Sequence, residues 1–370
     1  MQTYSYFNES ISHNISYNGH LLHSVYHYPL ENIQLIEDFE KRYQLSYKID
    51  DELDLHQFEL IMTLGQGSFG RVLLVVLEQN KFEYALKVLD KSKIVKYNQI
   101  KHVQNEIRIL NAIRHPNSIL MHSLFKDNSY IYVLMEYVRG GDLFGYINKL
   151  KVFQEHITSF FAAQIVLVFE YLHFFNIIYR DLKPVIDHHG YLKLADFGFA
   201  KRIQQRTYTL CGTPDYFSPE ILQSKGFSIN IIFEKSIVEH FKVLIYEMNT
   251  GNPPFKGQSE MILFEAICRK KPPLRTNFSL NFKKIILGLL QKDPTKRLGS
   301  SSKGSIEIKE HSWFSKINFE AIYTQQIPSP FSKYIITKSL IDYRQESITR
   351  NEKPLIIAEH DDYKEHFKDF

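Results

Sequence analysis

An α+β chain of two unequal lobes and a tail is the architecture this sequence predicts, and three observations carry it. Strand-like segments cluster between Phe58 and Met135, helical periodicity dominates from Gly140-Gly141 to Phe314, and residues 315–370 are charged and irregular with aromatics at intervals. The 370 residues are 44% apolar and 23% charged, which sets aside collagen-like, disordered and disulfide-scaffold classes. No period of roughly 20 to 50 residues repeats, against a solenoid. A net charge of +4 is too mild to argue for nucleic acid or a membrane surface as partner. The only cysteines, Cys211 and Cys268, have no metal-like spacing, so a reducing, cytoplasmic or nuclear address is expected. The apolar run Phe160 to Phe169 is broken by Gln164 and stopped by Glu170, short of a membrane span. The start, Met1-Gln2-Thr3, has no signal-peptide pattern and no glycine for myristoylation.

Residues 1–30, rich in Ser, Asn, His and Tyr, read as a disordered leader. Ile36, Phe39 and Tyr43 then recur at helical spacing, so a short amphipathic helix belongs to this 1–57 segment. Strands are expected at Phe58 to Ile61, Val72 to Leu77 and Tyr84 to Val88, a helix at His102 to Ile113, and a further strand at Tyr130 to Met135. These make a small lobe, 58–138. Long amphipathic runs with short Gly/Pro punctuation make a helical lobe, 139–314, and the tail occupies 315–370.

The first chemical signal is Gly65-Gln66-Gly67-Ser68-Phe69-Gly70-Arg71-Val72, preceded by Leu64. A lone G-x-G-x-x-G is weak. Here it lies between two strand patterns with no helix after it, which favours a glycine hairpin over nucleotide phosphates and disfavours a dinucleotide turn. Fifteen residues past Val72, Ala85-Leu86-Lys87-Val88 places a lysine in an apolar strand, costly unless paired, and Glu106 on the following helix is the natural partner.

Tyr179-Arg180-Asp181-Leu182-Lys183-Pro184, Asp196-Phe197-Gly198 and Ser218-Pro219-Glu220 follow in order. With the glycine loop and Lys87, this series resembles the eukaryotic protein kinases from about Phe58 to Phe314. Gly67 to Val72, Ala195 to Arg202, Thr209-Leu210-Cys211-Gly212-Thr213-Pro214 and the ending Phe367-Lys368-Asp369-Phe370 narrow the resemblance to the AGC group, nearest the family of cAMP-dependent protein kinase catalytic subunits.

The resemblance implies a two-lobed protein-kinase fold, a small β-rich N-lobe and a large mainly helical C-lobe, with an AGC-type C-terminal tail. It implies ATP and Mg²⁺ as cofactors, and phosphorylation of Ser/Thr in basic, Arg-directed peptides. Asp181 would orient the substrate hydroxyl, Lys183 would neutralise the transferring phosphate, and Lys87 with Glu106 would bind the α- and β-phosphates. Residues 64–72 and Ala85 would enclose the nucleotide, Glu136-Tyr137-Val138 would offer backbone groups to adenine with Met135 behind them, and Asp142 would border the site. Asp196 would hold the metal. Asp142, Thr213, Asp215 and Glu247 would meet the substrate peptide. Thr209 would be the activation-loop phosphosite, paired with Arg180, and Thr349 a tail phosphosite. Glu220 would pair with Arg297. Either Ile341-Asp342-Tyr343 or Asp361-Asp362-Tyr363 would approach ATP, and Phe367 with Phe370 would fill a pocket on the small lobe. A cAMP-binding regulatory subunit is implied as partner, with neither nucleic acid nor membrane.

Two departures stand against that pattern. The family places an asparagine five residues after the catalytic Asp, to ligate a second Mg²⁺, but Ile186 stands there, as though three residues had been removed after Pro184. Asp187 or His188 is a conceivable substitute. The family's D-x-W-x-x-G, whose Asp ties the catalytic loop to a central helix, is absent between Gly226 and Val243. Phe233, Ile237, Val238, Phe241, Leu244, Ile245 and Met248 still share a helical face there. Glu234, Lys235, Glu239 and Lys242 lie opposite, against the expected burial. These departures leave an alternative open: a catalytically impaired pseudokinase, acting as a nucleotide-dependent scaffold or as a decoy for regulatory subunits.

Overall fold

The structure is a computed structural model that describes residues 33–44, 49–202, 219–222, 229–301, 303–350, 354–368 and 370. Helix α1 (Ile33–Gln44) precedes strands β1 (Phe58–Gln66), β2 (Gly70–Leu77) and β3 (Glu83–Asp90), helices α2 (Lys91–Lys96) and α3 (Ile100–Ala112), and strands β4 (Met121–Lys126) and β5 (Tyr130–Glu136). The five strands form one antiparallel sheet in the order β1-β2-β3-β5-β4. Its apolar strands bury both faces: Leu73, Val75, Leu86 and Leu134 on one side, Ala85, Val133 and Met135 on the other. Strand β4 was not legible in the sequence, because Met121-His122-Ser123-Leu124 lacks β-branched residues.

The helical lobe begins with α4 (Leu143–Leu150) and α5 (Glu155–Phe174). Among the described residues, α5 is the one helix long and apolar enough to cross a membrane, yet 83% of its most apolar stretch is buried in the lobe. Short strands β6 (Ile177–Ile178), β7 (Pro184–Ile186), β8 (Leu192–Leu194) and β9 (Lys201–Arg202) pair as β6-β9 and β7-β8. Helices α6 (Pro219–Leu222), α7 (Ile229–Thr250), α8 (Glu260–Arg269), α9 (Leu280–Leu289) and α10 (Ser305–Lys309) complete the lobe. Within α7, Phe241, Leu244, Ile245 and Met248 are fully buried, as their periodicity predicts. Lys242 corrects the expected polar face: it is 3% exposed, and its ammonium stabilises the Glu220 carboxylate. The side chains of residues 229–239, including Phe233, Glu234, Lys235, Ile237, Val238 and Glu239, lie outside the described residues.

Helix α1 and the C-terminal tail each contact both lobes. Phe39 of α1 is fully buried and stacks on Phe175 at 3.8 Å, while Arg202 lies over its ring and pairs with Glu40. Arg42 donates to the Ala112 carbonyl of α3 at 3.0 Å. This helix is thus part of the core, a role one aromatic among charges did not reveal. Residues 1–30, expected as a disordered leader, lie outside the described residues.

The tail carries α11 (Phe319–Tyr323) and α12 (Leu340–Arg350). It anchors Phe331 against Tyr146, Phe153 and Phe161, then runs along β1, where Arg344 pairs with Glu59 at 2.8 Å. It ends with Phe367 and Phe370, 0% and 5% exposed, on the small lobe. Lys91, itself fully buried, binds Asp361 at 2.6 Å, and Lys126 donates to the Phe367 carbonyl at 2.7 Å. The two tail segments therefore separate. Tyr343 bonds Tyr137 of the interlobe connection, hydroxyl to hydroxyl at 2.8 Å, whereas Asp361 to Tyr363 serves the docking of the terminal aromatics.

Candidate functional site

Strand β3 delivers Lys87 to the junction of the lobes, opposite Val72 on β2 and Val133 on β5. Helix α3 presents Glu106, 6% exposed, and the two side chains form a close ion pair. From the larger lobe, Asp196 brings Oδ1 to 3.7 Å from Lys87 Nζ. Lys183 Nζ lies 2.7 Å from Asp196 Oδ2 and 2.9 Å from Asp181 Oδ2. Five side chains from four separate segments thus form one chain of charges.

The backbone holding them is strained where chemistry is expected. Arg180 and Asp196 both adopt positive φ, +67° and +63°, a region costly for residues with a Cβ. Compensating bonds surround them: Tyr179 donates its hydroxyl to the Ala195 carbonyl, Ala195 N–H donates to Lys183 O at 3.2 Å, and Arg180 Nε donates to Phe199 O at 2.7 Å. Phe197, fully buried, meets Tyr179 edge-on at 4.9 Å.

The charges tune one another. Burial pushes the Asp196 carboxyl up, but Lys87, Lys183 and the Gly198 N–H outweigh it and hold it below its ordinary value. Burial lowers the Lys87 ammonium, and Glu106 with Asp196 more than restore it, so its pKa is raised. Lys183 is raised in the same way by Asp196 and Asp181. Asp196, Lys87 and Lys183 are therefore ionised near neutrality.

The glycine loop is the β1–β2 hairpin, closed by Gly67 N–H donating to Gly70 O at 2.8 Å. A Cβ on Gly70 would strike Val88 O at 1.8 Å, so the fold itself requires that glycine. A Cβ on Gly65 would meet nothing within 4 Å, and on Gly67 only Gly70 O at 3.9 Å. Bare backbone there leaves room for a phosphate to approach the N–H groups. Leu64, Gln66 and Ser68 are exposed on this loop; Phe69, Arg71 and Val72 are half-buried, and Ala85 is buried beside Met135. The Glu136 carboxylate is committed to Lys193 and to Leu120 N–H, both at 2.8 Å, which fixes the interlobe connection ahead of Val138. Asp142 is exposed and caps α4 through Gly145 N–H at 3.1 Å, and Glu247 is half-buried on α7.

Glu220 and Arg297 form the expected buried pair, bidentate at 2.6 and 2.9 Å. Thr209, Cys211, Thr213 and Asp215 lie outside the described residues, as does the side chain of Thr349.

The catalytic-loop departure has a clear structural form. Strand β7 starts at Pro184, immediately after Lys183, so no turn intervenes. Ile186 is fully buried, pairs with Leu192 and donates its N–H to Gly141 O at 2.8 Å; it offers no ligand atom. Asp187 is no substitute. Its carboxylate closes the β7–β8 turn, accepting from His189 and Tyr191 N–H at 2.9 and 2.8 Å. Among the described residues no group of three His, Cys, Asp or Glu could hold a metal. Magnesium commonly takes one or two carboxylates and completes its shell with water and substrate phosphates, so Asp196 fits one nucleotide-borne ion, and the second ligand is missing. Tyr343, in one of the two tail segments expected near ATP, reaches the interlobe connection across 206 positions, whereas His240, a single histidine in a run of charges, escaped sequence reasoning.

The chain matches the family model described as "Protein kinase domain" over residues 58–314. It is 39% identical over 75% of its length to a cAMP-dependent protein kinase catalytic subunit of Dictyostelium discoideum, covering 42% of that protein. It is 38% identical over 76% of its length to "cAMP-dependent protein kinase, catalytic subunit-like" of Caenorhabditis elegans, covering 70% of it. The corresponding figures for cAMP-dependent protein kinase type 3 of Saccharomyces cerevisiae are 37%, 79% and 73%.

Proposed function

The chain belongs to the protein kinase family, and on that footing we propose that it phosphorylates serine or threonine in basic, Arg-directed peptides. The observation that carries this reading is the single charge network of Lys87, Glu106, Asp181, Lys183 and Asp196 at the lobe junction. ATP with Mg²⁺ would supply the transferable phosphoryl group and neutralise its charge. Lys87, kept protonated by Glu106, binds the α- and β-phosphates beneath the glycine loop 65–70. Asp196 holds the metal. Asp181 accepts or orients the hydroxyl proton of the substrate, and Lys183 neutralises the moving phosphoryl. Backbone groups of Glu136 to Val138 bind adenine. Asp142, exposed beside the site, joins Thr213, Asp215 and Glu247 in meeting the arginine-bearing peptide. Arg180 Nη1 is buried with no hydrogen-bond partner among the described residues, which suits a phosphate on Thr209. Thr349 remains a second phosphosite, a cAMP-binding regulatory subunit the expected partner, and the cytoplasm or nucleus the expected address.

Buried Ile186 favours a second reading, in which the chain binds nucleotide and turns over too slowly to signal by catalysis. Loss of a metal ligand worth about 3–5 kcal/mol of transition-state stabilisation slows turnover by roughly 10²–10⁴-fold. The purified 370-residue chain, incubated with Mg·ATP and a peptide carrying two arginines before a serine, distinguishes the two. Phosphate incorporation abolished by Asp181→Ala supports the kinase reading. Thermal stabilisation by Mg·ATP without incorporation supports the scaffold, and neither effect overturns both.

A further inference from the structure

Helix α7 packs against β6, just ahead of the catalytic loop. His240 of this helix is 8% exposed, and its ring is hydrogen-bonded to the backbone of Arg180. That residue immediately precedes Asp181 and carries a φ of +67°. A backbone held in this region persists only where its surroundings over-determine it. On one side the Arg180 side chain donates to Phe199 O at 2.7 Å; on the other, the imidazole ties its backbone to α7. We infer that His240 is a positioning residue, which pins the Arg180 peptide and so fixes where Asp181 points.

The chemistry of the ring agrees. Burial, with the Lys242 ammonium nearby, holds the imidazole at about 4, so it is neutral at working pH. Its bond to Arg180 pulls the other way, favouring the protonated nitrogen, so the ring donates and the Arg180 carbonyl accepts. A neutral donor suits a helix that already buries Lys242, because it fixes the loop without adding another charge to the interior. The role extends the kinase reading, since it positions the Asp181 that reading assigns to the substrate hydroxyl.

The test compares His240→Leu, which keeps apolar volume and removes the donor, with His240→Asn and His240→Gln, whose amides can donate. Two readouts are taken on the full chain: peptide phosphorylation, and backbone hydrogen exchange across residues 178–184. His240→Leu is expected to lower kcat by roughly 10–100-fold with KM for ATP nearly unchanged, as for a misplaced catalytic group. Exchange across 178–184 quickens while α5 stays protected. One of the two amide variants restores both. Native exchange and kcat in His240→Leu would overturn the inference. So would failure of both amides to restore what leucine loses, since a packing role would then explain the loss. Should leucine prevent folding, the amides carry the test, and native behaviour in neither refutes it. A wild-type chain without phosphorylation sinks the kinase reading alone, because exchange still decides the role of His240.

Discussion

Replacing Lys87 with methionine separates what the Lys87–Glu106 pair does for stability from what it does for the nucleotide. Lysine and glutamate side chains are only 18% and 8% exposed. Methionine keeps the volume and leaves Glu106 nearly dry without its cation, a loss of about 3–5 kcal/mol for a broken buried pair. At about 2–4 °C per kcal/mol for a domain of this size class, Lys87→Met should melt roughly 6–20 °C below the native chain. Removing both charges, Lys87→Met with Glu106→Leu, takes away the stranded carboxylate, and melting should return to within a few degrees. Stabilisation by Mg·ATP should vanish in both variants, because the phosphate-binding ammonium is gone from each. Asp196 also loses one of the two cations that hold its carboxyl low, so its pKa rises and the stability it contributed above its unfolded value shrinks. Scanning calorimetry with and without Mg·ATP reads all of this. A single variant melting like the native chain would show the pair is not a buried one. A double variant still stabilised by nucleotide would remove Lys87 from the phosphate site.

Glu220 is held below its ordinary pKa: burial raises it, and Arg297 and Lys242 outweigh that. Its contribution is therefore present above the unfolded value and lost as pH falls through the lower folded one. Glu220→Gln should cost about 3–5 kcal/mol at pH 7, with the gap narrowing in acid, measured by urea titration at several pH values. Phe367→Ala combined with Phe370→Ala should release the tail from the small lobe, seen as faster tryptic cleavage at Lys364 and Lys368 and a lower melting temperature. Inserting Glu-Asn-Leu between Pro184 and Val185 should raise kcat by roughly 10²–10⁴-fold in the phosphorylation assay, and an unchanged kcat would show that the missing ligand does not limit this chain.

Legibility in the sequence followed the range of the interaction. Strands β1, β2, β3 and β5 announce themselves locally through short apolar runs bounded by turn residues, and Glu106 was found because a lysine in an apolar strand demands an anion within reach. The order of short motifs sufficed to place Lys87, Asp181 and Asp196 together, though no periodicity joins them. The rest depended on distant partners. That Phe39 would stack on Phe175, that Tyr343 would reach Tyr137, or that Lys91 would bury itself on Asp361 has no local signature. Lys242 misled for the opposite reason: its charge suggests solvent, and only the folded lobe brings Glu220 near enough to hold it inside.

The shortened catalytic loop leaves its charge network intact because the two are held by different bonds. Lys183 is aimed by carboxylates, Asp181 two positions before it and Asp196 across from it, and Asp196 is fixed by its own strained backbone and the Gly198 N–H. None of these contacts passes through the chain between Pro184 and Val185. On the far side the β7–β8 hairpin keeps its register, Pro184 to Leu194 and Ile186 to Leu192, and Asp187 closes its turn. A deletion at that junction removes a bulge of backbone and whatever ligand it bore, while the strands on which the remaining groups stand stay paired. Had the gap fallen one residue earlier, Lys183 itself would have been drawn into the strand, where the two-residue alternation of the pleat turns it from Asp196. On the proposed reading, the position of the break would cost a metal ligand and spare the phosphate site, so Mg·ATP should still stabilise the chain while its turnover is slowed.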